Sequence, residues 1–85
     1  MFNMKPPFRL AIANTFMDNV PRSAEEVMDK LEPAYAGEKQ FTLPTIDKNI
    51  QSLKTVGILK VESEEDGRLR YLLSEYGRKK VAKAL

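Results

Sequence analysis

The side chains of this 85-residue chain best suited to meeting a polyanion lie in its second half. Residues 43 to 57 read LPTIDKNIQSLKTVG. On a helix, Leu43, Ile46, Ile50 and Leu53 form one stripe with Gly57 closing the end, while Pro44, Thr45, Lys48, Gln51, Ser52 and Thr55 take the other side. Short hydroxyl, amide and ammonium groups on one face can reach base edges and phosphate oxygens in a DNA major groove without bulky obstruction. The same face also reads as the solvated side of an ordinary amphipathic helix. Arg68 and Arg70, further along the chain, are the other candidate phosphate contacts.

Composition removes several chemistries. Cysteine and histidine are both absent, which takes away thiolate and imidazole metal ligands, disulfides, and the nucleophile and base of the common hydrolytic triads. No phosphate-cradling glycine loop or paired acid and base can be assembled, so the expectation is a non-enzyme without a cofactor. The longest apolar run falls far short of the roughly 20 residues of a membrane span, and the first residues lack the apolar core of a secretory signal. A soluble, cytoplasmic protein with no membrane partner is expected. With 42% hydrophobic against 31% charged residues, the balance is that of one folded domain spanning residues 1–85. The net charge of +2 is uneven: residues 1–40 carry five basic and six acidic side chains, residues 41–85 nine and six. A polyanion-facing surface should therefore come from the second half.

The segment MFNMKPP reads as a short arm (residues 1–6) ahead of a helix starting at the prolines. Over residues 7–17, Phe8, Ala11, Ile12, Thr15 and Phe16 recur at helical spacing, leaving Arg9, Asn14 and Asp18 to solvent. Asn19, Val20 and Pro21 break that helix. Ser23-Ala24-Glu25-Glu26 then forms a capping box, and Val27, Met28 and Leu31 give the second helix its inner stripe. Pro33 is expected to end it, with a separate helical turn at residues 33–36 and a bend at Gly37. Tyr35 and Phe41 should pin this long connection to the core.

After Gly57, ILKVES, EEDG and RLRYLL read as a β-hairpin. A two-residue loop at Asp66-Gly67 sets Glu64 against Leu69 and Glu62 against Tyr71, mixing polar with apolar. A three-residue loop, Glu65 to Gly67, sets Val61 against Tyr71 and Leu59 against Leu73 on one face, and Glu64 against Arg68 and Glu62 against Arg70 on the other. The second register sorts both faces and is the expected one. It leaves the two arginines divided between phosphate contact and cross-strand pairing. Ser74 can cap a last helix with Glu75 in its first turn; Val81, Ala84 and Leu85 form its apolar side, and Arg78, Lys79, Lys80 and Lys83 a basic cluster.

The order helix, helix, helix, hairpin, helix resembles the winged helix-turn-helix domains of small prokaryotic transcription regulators of the MarR, PadR and ArsR kind. Four phrases carry the resemblance: SAEEVMDKL, the helix with Ile46, Ile50 and Leu53 running into VGIL, the hairpin DGRLRY, and the exit LLSEYGRKKV. It implies a mostly helical α+β fold: a three-helix core, a two-stranded β-hairpin wing and a C-terminal helix. It further implies a recognition helix at residues 43–56 lying in the major groove, with Thr45, Lys48, Gln51, Ser52 and Thr55 facing DNA, Arg68 and Arg70 on the wing, and Thr42, Pro44 and Asn49 flanking. The insertion between the second and third helices and the acidic wing tip depart from that pattern.

Two functions follow as expectations. One is sequence-specific binding of double-stranded DNA by a homodimeric transcription regulator, since one such domain buries little surface on a single half-site. The other is a winged-helix protein-interaction module that never touches DNA, favoured by the modest net charge and the acidic second helix and wing.

Overall fold

Along residues 7–84, the part of the chain that the computed structural model describes, the elements are α1 (Phe8–Asn14), α2 (Ala24–Tyr35), α3 (Leu43–Thr55), β1 (Leu59–Glu65), β2 (Arg68–Leu73) and α4 (Glu75–Ala84). The expected arm at residues 1–6 and the expected apolar contact of Leu85 lie outside the described residues. The apolar periodicities converge on one core. Ile12 and Phe16, Val27, Ile46, Ile50 and Leu53 are essentially sealed from solvent, with Leu59, Tyr71, Leu73 and Val81 closing it from the hairpin and α4. Leu43, at the start of the α3 stripe, is only half-buried, and Ala84 is exposed. Three helices around that core, an antiparallel hairpin and a closing helix make a winged-helix fold, mostly helical α+β.

The capping box forms as its residues predict: the Glu26 amide donates to Ser23 Oγ (3.3 Å) and the Ser23 amide to Glu26 Oε1 (2.9 Å). Pro33 does not end α2. The helix runs through it to Tyr35, so the turn expected at residues 33–36 is continuous with α2. An interior proline costs about 3 kcal/mol. Burying Tyr35, whose ring meets Phe8 edge-on at 5.2 Å, contributes about as much. Packing at the end of the helix thus offsets the break in its ladder. Gly37, at φ +92°, then makes the expected bend.

The hairpin satisfies half of each register considered. Leu59 faces Leu73 and Val61 faces Tyr71, as face sorting requires. Beyond Glu62 the pairing shifts by one: Ser63 faces Arg70, Glu64 faces Leu69 and Glu65 faces Arg68. The loop is therefore the two-residue Asp66-Gly67, both with positive φ (54° and 74°), as a type I′ turn demands. The expected pairs Glu64–Arg68 and Glu62–Arg70 do not form. A bulge at Glu62 reconciles the inner faces with the preferred turn, a combination that a uniform register excludes. On its other edge β2 meets Arg22, which exchanges both backbone hydrogen bonds with Tyr71 (2.9 and 3.3 Å).

The phrase S-x-x-G at the hairpin exit has a physical cause. Ser74 Oγ accepts from the Gly77 amide (2.9 Å), capping α4, and the Ser74 amide donates to the Ile58 carbonyl (2.9 Å). Gly77 lies so close to Ile58 that an added Cβ would sit 2.1 Å from its carbonyl oxygen. Only glycine lets α4 seat there.

Candidate nucleic-acid interface

Both ends fix α3 firmly. Thr42 caps its start, accepting from the Thr45 amide (3.3 Å). At its end Gly57, at φ +84°, closes a Schellman motif: Ile58 N–H donates to the Leu53 carbonyl (2.9 Å) and Gly57 N–H to that of Lys54 (3.0 Å). A rigid rod results, with Ile46, Ile50 and Leu53 in the core and a polar face outward.

On that face the predicted residues differ in how committed they are. Lys48 is exposed at mid-helix and has no hydrogen-bond or ion-pair partner among the described residues. Thr55 is exposed, its hydroxyl donating back to the Gln51 carbonyl (2.9 Å). Thr45 is half-buried and accepts from the Thr42 hydroxyl (2.9 Å). Gln51 leans toward the hairpin, donating to Tyr71 Oη (3.1 Å), and Ser52 leans toward α1, accepting from Arg9 Nη1 (2.6 Å). Of the flanking candidates, Pro44 is exposed in the first turn, while the Asn49 amide is spent on the Thr45 carbonyl (2.9 Å).

The two wing arginines are paired, with acids other than those the sequence suggested. Arg70 Nε donates to Glu26 Oε1 (2.9 Å) and its Nη1 to Glu65 Oε1 (2.6 Å). The Arg70 guanidinium, followed by the Ser23 amide, holds the Glu26 carboxyl down to about 2 from an ordinary 4.5. One carboxylate thereby caps α2 and tethers the wing. Arg68 is exposed and stands 3.9 Å from Glu25, a loose surface pair. Glu25 and Asp47 line the same cleft between α2, α3 and the hairpin as Arg68, so that side of α3 is charge-compensated.

The opposite side of α3 differs. Arg9 on α1 and Lys80 on α4 line one groove, of about 300 Å³, floored by Leu10, Leu53, Ile58 and Val81. Neither has a carboxylate partner among the described residues: Arg9 bonds Ser52, and Lys80 lies 5.5 Å from the centre of the Tyr76 ring. The helical spacing of α1 shows Arg9 only as solvent-facing, because the neighbour that defines it is 43 residues away. Arg78, counted with the basic cluster, is instead tied inward, donating to the Met17 carbonyl (3.2 Å) and to the side chain of Asn19. Arg22 is likewise engaged: both its terminal nitrogens meet Asp18 (2.9 and 2.6 Å). Its guanidinium, followed by the Val20 amide, holds the Asp18 carboxyl well below the usual carboxylate range. Among the described residues no three acidic side chains converge as metal ligands, and no helix is long and apolar enough to cross a membrane.

No protein-family profile matches the sequence, and no curated protein does. Among solved structures, the chain is similar to SSV1 F-93, with a TM-score of 0.67 at 20% identity over 95% of this chain and 86% of that one. It is also similar to the ferric uptake regulator of Francisella tularensis with iron, with a TM-score of 0.66 at 19% identity over 88% of this chain. It spans 57% of that regulator's length. Both likenesses bear on the fold, which is the winged-helix fold read from the element order.

Proposed function

We propose that this chain binds double-stranded DNA as a transcription regulator, with α3 as the helix that enters the major groove. One observation carries the reading: the outer face of α3, a helix capped at both ends, has at its centre a lysine, Lys48, without a partner among the described residues. Lys48 and Thr55 would make the first contacts; Thr45, Gln51 and Ser52 would read bases from the shoulders of the helix after exchanging their present bonds. The winged-helix fold shared with a named regulator supports this. A cytoplasmic homodimer spanning two half-sites completes the proposal, because a single domain of this size offers too little surface for tight specific binding.

The test is selection of bound sequences from a random duplex pool at moderate salt, followed by titration of a selected duplex. Lys48→Ala should weaken binding about tenfold and lower the salt slope by about one. Unchanged affinity and slope would reject α3 as the reader. A second reading, a protein-interaction module, is favoured by the carboxylates gathered around the wing. It predicts no duplex binding even at low salt.

A further inference from the structure

Resting on that reading, we infer that the backbone contact beside the recognition helix is made by Arg9 and Lys80, on the α1/α4 side of α3, and not by the wing. A polyanion seated on α3 meets very different fields on its two sides. Toward the hairpin it meets Glu25, Asp47, Glu65 and Asp66 around Arg68 and Arg70. Arg70 could reach a phosphate only by leaving two carboxylates, one of which would then face the phosphate with the Ser23 amide as its remaining partner. Toward α1 no such exchange is needed. Among the described residues Arg9 Nη1 bonds only the neutral Ser52 hydroxyl, on the outer face of α3 itself, so the guanidinium already stands at the shoulder of the proposed reading helix with donors to spare. Lys80 shares its groove and is exposed, resting beside an exposed aromatic ring. Cations without internal acid partners release condensed counterions on binding at little intramolecular cost, whereas paired ones do not.

The occupant argued for is the sugar-phosphate backbone of the same duplex. A second copy of the chain centred on this groove would bring Arg9 and Lys80 near the same two cations of the other copy across a twofold axis, juxtaposing like charges. A subunit contact is thus better sought elsewhere on the fold.

Backbone binding is sequence-independent, so a mixed-sequence duplex serves as the probe and no operator need be known. The salt dependence of its affinity is measured for the parent protein, for Arg9→Gln with Lys80→Gln, and for Arg68→Gln with Arg70→Gln. Thermal melts confirm that each variant is folded. The α1/α4 variant should lose about two from the salt slope and bind roughly a hundredfold more weakly at about 100 mM salt, and the wing variant should match the parent within experimental scatter. Arg9→Lys, which keeps the charge, should retain most of the parental slope. A slope lost in the wing variant and kept in the α1/α4 variant would overturn the inference while leaving the DNA-binding reading intact. So would a change in monomer–dimer equilibrium on Arg9 and Lys80 substitution with no change in slope, which would make the groove a subunit interface. Failure of the parent to bind duplex at low salt would overturn the proposed function and, with it, this inference.

Discussion

The two sides of α3 carry similar numbers of basic groups and have opposite electrostatic character. On the hairpin side Arg68 and Arg70 face Glu25, Glu26 and Glu65, while on the α1/α4 side Arg9 and Lys80 face a hydroxyl and an aromatic ring. Counting basic residues alone would not separate the two sides. What decides is how many of those charges the fold has already neutralised. Arg70 serves two internal purposes, bracing the hairpin against α2 and sharing the carboxylate of a helix cap, and an arginine so used is a structural strut.

The comparison can be broken most severely through Gly77, whose absent side chain lets α4 sit on the Ile58 carbonyl. Gly77→Ala should cost about 3 kcal/mol in overpacking against about 1 kcal/mol gained in helix propensity. The melting temperature should fall by about 10 °C. Because α4 carries Lys80, the basic side should be displaced while the hairpin keeps its pairs; calorimetry with the duplex salt titration checks both.

Next in size is conversion of one side into the other. Glu26→Gln with Glu65→Gln removes both negative partners of Arg70, so the salt slope of duplex binding should rise by about one as the guanidinium becomes available. An unchanged slope would mean that the hairpin is held away from the duplex by geometry and not by charge.

A smaller effect belongs to pH. The Glu26 carboxyl titrates lower in the folded chain, about 2, than its ordinary 4.5. It therefore stabilises the fold fully above about pH 4.5, and that contribution drains away as pH falls toward about 2. Solvent screening of this partly exposed pair keeps the change to a few degrees. Glu26→Gln should flatten that part of the acid decline in melting temperature. The Asp18 carboxyl, held down by Arg22, should leave the remainder. An acid decline identical to the parent's would show that the Glu26–Arg70 pair does not form in solution.

Smallest of all is Glu62→Ala. Glu62 sits at the bulge without a strand partner, so stability should stay within about 0.5 kcal/mol and the duplex salt slope should not move. A rise in slope would restore the uniform register and its Glu62–Arg70 pair.

Much of the frame was legible in the sequence because its causes are local. Ile46, Ile50 and Leu53 are one turn apart, and Ser23 and Glu26 are three residues apart. The misreadings share one cause, tertiary distance. Pro33 stays helical because Tyr35 reaches Phe8, 27 residues back. Arg70 adds to Glu65 of its own hairpin an acid 44 residues away, in place of the expected Glu62, and Arg9 acquires its position from a serine 43 residues on. The hairpin adds a second lesson: two arguments for register that looked exclusive, face sorting and turn preference, each hold over half its length because one bulged residue separates them.

The most direct test of α3 as the reading helix, flanked by a basic α1/α4 side, is backbone amide NMR of the full chain titrated with a selected duplex. Perturbations should be largest along residues 45–55, extend to Arg9 and Lys80, and be least at the hairpin tip, residues 64–67. Perturbations centred on the acidic surface of α2 or on the hairpin, with the α3 amides unmoved, would contradict the account.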